Sequence, residues 1–388
     1  MTRHLVIWLL VGALAAPSAA AHGMELGTDS LGNREIGLEP LRPRQSGGQD
    51  DVSELARLLG AELAASPLET RLLDDAADGR LDEWSLPDAA LVAGGVRDAA
   101  TLTRYADQLR RWGAEARALN RPTDSARQRA AALLELMHAR FMRHGYEIDA
   151  TELTTLLDQG QFNCVSATVL FIALSTEAGL KVSAVELPTH AFCRVTADNE
   201  TFDVEPTCRR WFEVIDDPEA RAAVARRISG AAGDGSAVPR AVSQSQLLAV
   251  IYYNRGVDLI RRGDDGAAIG ANLRAMSLDP QSATARGNLW VAVNNAAVGH
   301  CRDQRFAESA ALIARARQVV PKHAALSANE LYVYQQWAAD LCRQQRFAEA
   351  LNVLDAGLAK QPGNLVLSSR REEVQRRIKE GSVQSTGY

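Results

Sequence analysis

The residue in this sequence best suited to chemistry is Cys164, which follows Asn163 at the start of a predicted helix ending at Ala178. Asn is a favoured N-cap residue, and a helix N-terminus presents free N–H groups and a partial positive charge. Both features favour the thiolate, the nucleophilic form of cysteine. The same N–H groups can hold an oxyanion during acyl transfer. The alternative is a buried structural cysteine, a common role for this residue type.

A nucleophilic cysteine needs a base, and the base needs an acceptor that orients it. His190 begins a predicted strand 26 residues after Cys164. Two acids, Asp203 and Glu205, lie in the next predicted strand, over residues 201–205. Cysteine, histidine and carboxylate therefore follow one another as in a thiol acyl-transfer site, and either acid is a candidate to orient the histidine.

The register of the predicted hairpin bears on the choice between the two acids. A two-residue turn at Asp198-Asn199 makes the numbers of facing residues add up to 397. Glu205 is then the diagonal neighbour of His190 on the same face of the hairpin. Asp203 faces Arg194 instead, which favours an ion pair for Asp203.

Three short motifs carry a resemblance to a known family: Cys164 at a helix start, His190-Ala191-Phe192 in a strand, and Glu205-Pro206-Thr207 closing the next strand. Together they resemble the transglutaminase-like superfamily of papain-like cysteine enzymes. That family has Asp-Pro-Thr in the third motif, so Glu205 stands at its catalytic Asp position, and Asp203 remains the alternative. The residue after Cys164 is Val165, where many members have an aromatic residue. The resemblance covers about residues 145–215.

The resemblance implies a cysteine enzyme that acts on amide bonds of a protein or peptide substrate. Cys164 would be the nucleophile and His190 the base, oriented by Glu205 or Asp203. Such an enzyme is a peptidase or amidase if water is the acceptor, and an acyltransferase if an amine is. The mechanism needs no metal and no organic cofactor. The alternative is a catalytically inactive domain that serves in a binding or scaffold protein.

A repeat follows this domain. Pro280, Pro321 and Pro362 are spaced 41 residues apart, and the sequence that starts at Cys301 recurs from Cys342. A fixed period of helix pairs is typical of a helical solenoid. Its small residues resemble those of tetratricopeptide repeats over about residues 248–365, which implies a surface that binds a peptide or protein ligand.

These patterns predict an α+β protein in three parts: a helical N-terminal region, a small papain- and transglutaminase-like α+β domain, and an all-α C-terminal solenoid similar to tetratricopeptide repeats. The predicted boundaries are a signal peptide at 1–21, a flexible lead-in at 22–50, the helical region at 51–144, the α+β domain at 145–215, a Gly-rich linker at 216–242, the repeats at 243–381 and a tail at 382–388.

The N-terminus and the composition indicate where the protein works. An apolar stretch, Leu5 to Ala16, precedes the small residues Ala19-Ala20-Ala21, a pattern typical of a cleaved signal peptide. An uncleaved anchor is the alternative, but the stretch is short for a bilayer. We therefore expect an exported protein, periplasmic or secreted, with no membrane span after cleavage. The 43 Lys and Arg against 48 Asp and Glu give a net charge of −5, which argues against a nucleic-acid partner.

Overall fold

The computed structural model describes residues 48–60, 65–187, 189–197, 200–229 and 238–385. The predicted signal peptide, residues 1–21, most of the predicted lead-in and the predicted turn at Asp198-Asn199 lie outside these ranges. Within them the chain is mostly helical, with one small antiparallel sheet. The predicted α+β class is therefore confirmed.

The N-terminal part is a group of short helices. They are α1 (Gly48–Leu59), α2 (Pro67–Asp75), α3 (Leu86–Ala93), α4 (Ala99–Arg117) and α5 (Ala126–Leu136), and α5 runs into a π-helical turn at Met137–Phe141. Ser66, Ser85, Asp98 and Ser125 accept N–H hydrogen bonds at the starts of α2 to α5, as expected for N-cap residues. The apolar faces of these helices join one continuous core.

The central part combines helices and strands. Its elements are α6 (Leu153–Gln159), α7 (Cys164–Ser175), β1 (Lys181–Leu187), β2 (His190–Thr196), β3 (Thr201–Val204), α8 (Trp211–Val214), α9 (Pro218–Ser229) and β4 (Arg240–Val242). Helix α7 is apolar on all sides, so it is buried between α3 to α6 and the strands β1 and β2. This position places its first residue, Cys164, beside the sheet.

The sheet has the order β3-β2-β1-β4, and every neighbouring pair is antiparallel. Strand β2 pairs with β3 from Cys193↔Val204 to Thr196↔Thr201. Facing residue numbers add up to 397, the predicted register. The fourth strand, β4, lies within the segment that we predicted to be a linker, and so does α9. Strand β4 has only three residues, and α9 consists mainly of Ala and Arg without a strong apolar pattern, so the sequence gives little sign of either element.

The C-terminal part is a stack of helix pairs. It comprises α10 (Gln244–Arg262), α11 (Asp265–Leu278), α12 (Ala283–Arg302), α13 (Phe306–Val319), α14 (Ala324–Arg343), α15 (Phe347–Lys360) and α16 (Leu365–Ser385). Helices α12 and α14 both have 20 residues, and α13 and α15 both have 14. Gln304 and Gln345 adopt the same left-handed turn, with φ of 62° and 61°. The 41-residue period is thus a structural repeat of helix pairs.

Helix α10 belongs to the repeats by sequence but is buried among the other two parts. The side chains over 247–253 are all buried, although they lie on every side of the helix. Tyr252 donates a hydrogen bond to Glu69 of α2, and Arg255 donates one to the carbonyl of Ala93 in α3. The N-terminal helices, the sheet and the repeats therefore share α10 as a common core element.

Candidate active site

Cys164 is the first residue of α7, and Asn163 is its N-cap residue. The Asn163 side-chain oxygen accepts hydrogen bonds from the N–H groups of Val165 and Ser166, at 2.8 and 3.2 Å. The Ser166 hydroxyl in turn accepts the Asn163 N–H at 3.0 Å, which completes a capping box. The predicted helix start is confirmed, and the cap fixes the backbone of Cys164.

The segment before α7 holds this cap from the other side. The Asn163 amide nitrogen donates to the carbonyl of Ile148 at 3.1 Å and to the Thr151 hydroxyl at 2.7 Å. The Ser166 hydroxyl donates to the carbonyl of Ala150 at 2.7 Å. Asn163 and Ser166 are both buried, and all bonds of the network except the one to Ile148 are buried too. The start of α7 is therefore a rigid platform for the thiol.

Gly160 makes the sharp entry into this segment possible. It ends α6 with a left-handed φ of 68°, which glycine adopts without the steric cost that a side chain would add. A Cβ atom at this position would also lie 3.0 Å from the carbonyl oxygen of Phe141. Both observations explain why the chain has glycine four residues before the thiol.

His190 and Glu205 form a buried pair beside Cys164. The His190 Nε2 and Glu205 Oε2 atoms are 2.5 Å apart, and the two residues are only 7% and 5% exposed. The other oxygen of Glu205 accepts hydrogen bonds from the Thr207 hydroxyl at 2.6 Å and from the Thr207 N–H at 3.1 Å. Both carboxylate oxygens are thus used, and the orientation of the imidazole ring is fixed.

The second ring nitrogen of His190 is left for the thiol. Nδ1 is buried and has no hydrogen-bond partner within the described ranges. Burial alone would lower the pKa of His190, but its interaction with the Cys164 thiol and its hydrogen bond to Glu205 raise that pKa to about 10. His190 is therefore an imidazolium at neutral pH, with one N–H directed to Glu205 and the other available to the sulfur.

Of the two candidate acids, Glu205 contacts His190 and Asp203 does not. Asp203 accepts two hydrogen bonds from the Arg194 guanidinium, at 2.7 and 3.0 Å, and the pair is about one third exposed. This is the ion pair that the hairpin register predicts. The structure brings together Cys164, His190 and Glu205, and it places Asp203 in a separate contact.

Two further side chains lie at the site without being singled out by the sequence pattern. The Tyr146 hydroxyl interacts with the Cys164 thiol, and the His138 ring bonds the carbonyl of Pro206 at 2.9 Å. Burial lowers the pKa of His138, so its ring is neutral and donates from Nε2. The available sequence signal for Tyr146 is weak: it is a single aromatic residue after Gly145 in a segment without periodicity.

A buried ionic network lies behind β1. Glu186 accepts hydrogen bonds from Tyr253 of α10 at 2.9 Å and from Arg240 of β4 at 3.1 Å. Arg240 also donates to Asp279, the residue after α11, at 2.6 Å. The network ties the sheet that carries His190 to the first helix pair of the repeats.

Neither a metal site nor a membrane span is found in the part of the chain that the structure describes. No group of three His, Cys, Asp or Glu side chains there is arranged to hold a metal ion. No helix in the same ranges has the length and apolar character needed to cross a bilayer. No disulfide joins any of the five cysteines, all of which lie in the described ranges.

Comparison with known proteins supports the motif resemblance. Residues 103–249 match the family model described as the transglutaminase-like superfamily. The chain thus contains a transglutaminase-like domain. The match extends beyond 145–215 in both directions, from within α4 into the first half of α10.

The other two comparisons add little. No curated protein sequence matches the chain. Among solved structures, similarity was found to a crystal structure of menin, described as revealing the binding site for the Mixed Lineage Leukemia (MLL) protein. The alignment has 14% identity, covers 83% of this chain and 82% of the menin chain, and has a TM-score of 0.29. This likeness is too low to support an argument about function.

Proposed function

We propose that the protein is an exported cysteine enzyme that cleaves or transfers acyl groups at amide bonds of a protein or peptide. The observation that carries this proposal is the buried hydrogen bond between His190 and the carboxylate of Glu205, with the second nitrogen of the ring left for Cys164 at the capped start of α7. A nucleophile, a base and an orienting acid in this order constitute the machinery of nucleophilic acyl transfer. The transglutaminase-like family match is consistent with it.

The chemistry follows from these three side chains. The positive charge on His190 stabilises negative charge on the Cys164 sulfur, which attacks the carbonyl carbon of the substrate. The tetrahedral intermediate collapses when His190 transfers its proton to the leaving nitrogen. Glu205 holds the ring in place and stabilises its charge during both steps. The product of this half-reaction is a thioester on Cys164.

The acceptor decides the second half-reaction. Water, deprotonated by His190, hydrolyses the thioester and makes the protein a peptidase or amidase. An amine in place of water makes it an acyltransferase. Both use the same three residues.

The remaining parts of the chain fit a protein that acts on other proteins. The signal peptide predicted at residues 1–21 would direct it to the periplasm or the medium. Stacked helix pairs offer an extended surface to a peptide or protein ligand, and we propose this role for the C-terminal repeats. The repeats would then hold a partner or substrate beside the thiol domain.

Formation of the thioester tests the proposal. We expect p-nitrophenyl acetate to release a burst of p-nitrophenolate and to leave an acetyl group on Cys164, located by peptide mass spectrometry. Cys164→Ala should lose the burst. Cys342→Ala, which removes a half-buried cysteine far along the chain, should keep it. If the burst is absent or independent of Cys164, the site is catalytically inactive and the protein is a binding or scaffold protein.

A further inference from the structure

The start of α7 has fewer free N–H groups than a helix N-terminus usually offers. An acyl-transfer site needs donors for the oxyanion of the tetrahedral intermediate. The Asn163 side chain already occupies the N–H groups of Val165 and Ser166, and the Ala167 N–H bonds the carbonyl of Asn163. In the described part of the chain, the Cys164 N–H is the one group of this first turn without an acceptor. A second donor must come from another element.

Tyr146 brings a hydroxyl to the Cys164 side chain from another element. Its backbone forms a parallel bridge with Phe162, two residues before Cys164, and the N–H of Glu147 donates to the carbonyl of Phe162 at 2.9 Å. The Tyr146 ring packs edge-to-face on the Phe162 ring, with centroids 6.2 Å apart. These contacts direct the hydroxyl to the Cys164 thiol, with which it interacts.

The environment keeps this hydroxyl in its donor form. Although 46% of the residue is exposed, its hydroxyl interacts with the Cys164 thiol. Burial raises the pKa of Tyr146, and the neighbouring Cys164 and Glu205 raise it further. The phenol therefore keeps its proton at neutral pH.

We infer that Tyr146 is a further catalytic residue, which donates its hydroxyl hydrogen to the oxyanion together with the N–H of Cys164. This inference rests on the proposed acyl-transfer function and adds a residue to it. In the step concerned, the sulfur forms a bond to the carbonyl carbon and the carbonyl π electrons move to the oxygen. When the C=O bond re-forms, the leaving group departs with its electron pair, as p-nitrophenolate from an ester or as an amine protonated by His190.

Two reactions at the same sulfur separate this role from a structural one. Acylation by p-nitrophenyl acetate passes through an oxyanion, whereas alkylation by iodoacetamide does not. Loss of one oxyanion donor costs about 10²–10³ in rate. We expect Tyr146→Phe to slow acylation of Cys164 by about that factor and to change its alkylation rate by less than about twofold. The variant retains the ring that packs on Phe162.

Tyr332→Phe is the matched control, because it removes an exposed hydroxyl on the distant helix α14 and should change neither rate. Equal slowing of both reactions in Tyr146→Phe would assign Tyr146 to positioning of the thiol and would overturn the inference. Unchanged acylation would also overturn it, as would faster acylation, which would mean that Tyr146 shields the sulfur. If the unmodified protein fails to acylate at Cys164, the proposed function itself fails and this inference with it.

Discussion

The chemistry that we propose for this protein depends on the imidazole ring of His190. One nitrogen bonds a buried carboxylate that is itself held by Thr207, and the other is available to a thiol at a capped helix start. A buried charge of this kind is stable only when it is paired. The arrangement therefore stabilises an imidazolium at the site.

The first residue-scale prediction separates the roles of Glu205 and Asp203. Glu205→Gln should slow acylation of Cys164 by about 10³–10⁴, because the ring loses the acceptor that fixes its tautomer and stabilises its charge. Asp203→Asn removes half of a partly exposed ion pair, so it should keep the rate within about twofold and lower the melting temperature slightly. Burst kinetics with p-nitrophenyl acetate and a thermal melt measure both effects. The reverse pattern would assign the orienting role to Asp203.

The second residue-scale prediction concerns pH. The pKa of His190 is raised from 6.5 to about 10 in the folded protein. The stabilisation from the charged ring is therefore fully present below about pH 6.5 and is lost as the pH rises toward 10. We expect the difference in free energy of unfolding between the unmodified protein and His190→Gln to decrease from pH 6 to pH 9.5. Urea titrations at both pH values measure it, and a constant difference would contradict the assigned charge.

Much of the residue-scale arrangement follows from the sequence, because a two-residue turn fixes the pairing of a hairpin. The predicted register places Asp203 opposite Arg194, and the structure has that pair. The register also favours Glu205 as the neighbour of His190, but the pairing of β2 with β3 ends at Val204, so the contact itself is established only by the structure. Tyr146 was not predicted, because its position depends on a bridge to Phe162 that has no periodic signature.

Among the elements, the start of α7 has the most specific local structure. Asn163 makes four side-chain hydrogen bonds there, and they join α7 to the segment that leads into α6. The cap therefore does two things: it begins the helix at Cys164 and it holds the neighbouring segment against the thiol.

The element-scale prediction tests both effects of this cap. Asn163→Ala should lower the free energy of unfolding by about 2 kcal/mol, because it removes a cap and leaves buried groups without partners. It should also slow alkylation of Cys164. Ser125→Ala removes an exposed cap of the same type from α5, so it should cost about 1 kcal/mol or less and leave the thiol unaffected. Urea unfolding and timed alkylation give the two readouts, and equal thiol reactivity in both variants would contradict the account.

The sequence predicts an element well where a periodic pattern or an N-cap residue marks it. The strand β2 and the start of α7 are confirmed at His190 and Cys164, because alternation and an N-cap residue identify them. The three-residue strand β4 was not predicted, because it is too short for an alternation pattern. Its pairing with β1 depends on tertiary contacts.

At the scale of the whole molecule, the thiol domain and the repeats pack against each other and are not connected by the chain alone. Helix α10 is buried against the N-terminal helices and the sheet, and Arg240 connects Glu186 of the sheet with Asp279 of the repeats. Glu186 and Asp279 are 9% and 2% exposed. The first helix pair of the repeats is therefore connected through Arg240 to β1, the strand that precedes His190.

The whole-molecule prediction concerns this junction. Arg240→Ala leaves two buried carboxylates without their common partner, so it should lower the free energy of unfolding by about 1–2 kcal/mol, allowing for the third of the side chain that is exposed. Arg377→Ala, which breaks a surface pair within α16, is the control and should change stability little. Urea unfolding measures the stability of both variants. Equal losses would show that the Arg240 junction adds nothing to the stability of the protein.

The relative reactivity of the five thiols tests the central claim most directly. Burial raises the pKa of Cys193 and Cys342, and it raises that of Cys301 to about 11, which leaves these thiols slow to react. After brief treatment with iodoacetamide at pH 7, mass spectrometry should find Cys164 labelled at least about tenfold faster than any other cysteine. His190→Gln should remove that advantage. Label spread evenly over the cysteines, or absent from Cys164, would contradict the claim that His190 activates Cys164 for acyl transfer.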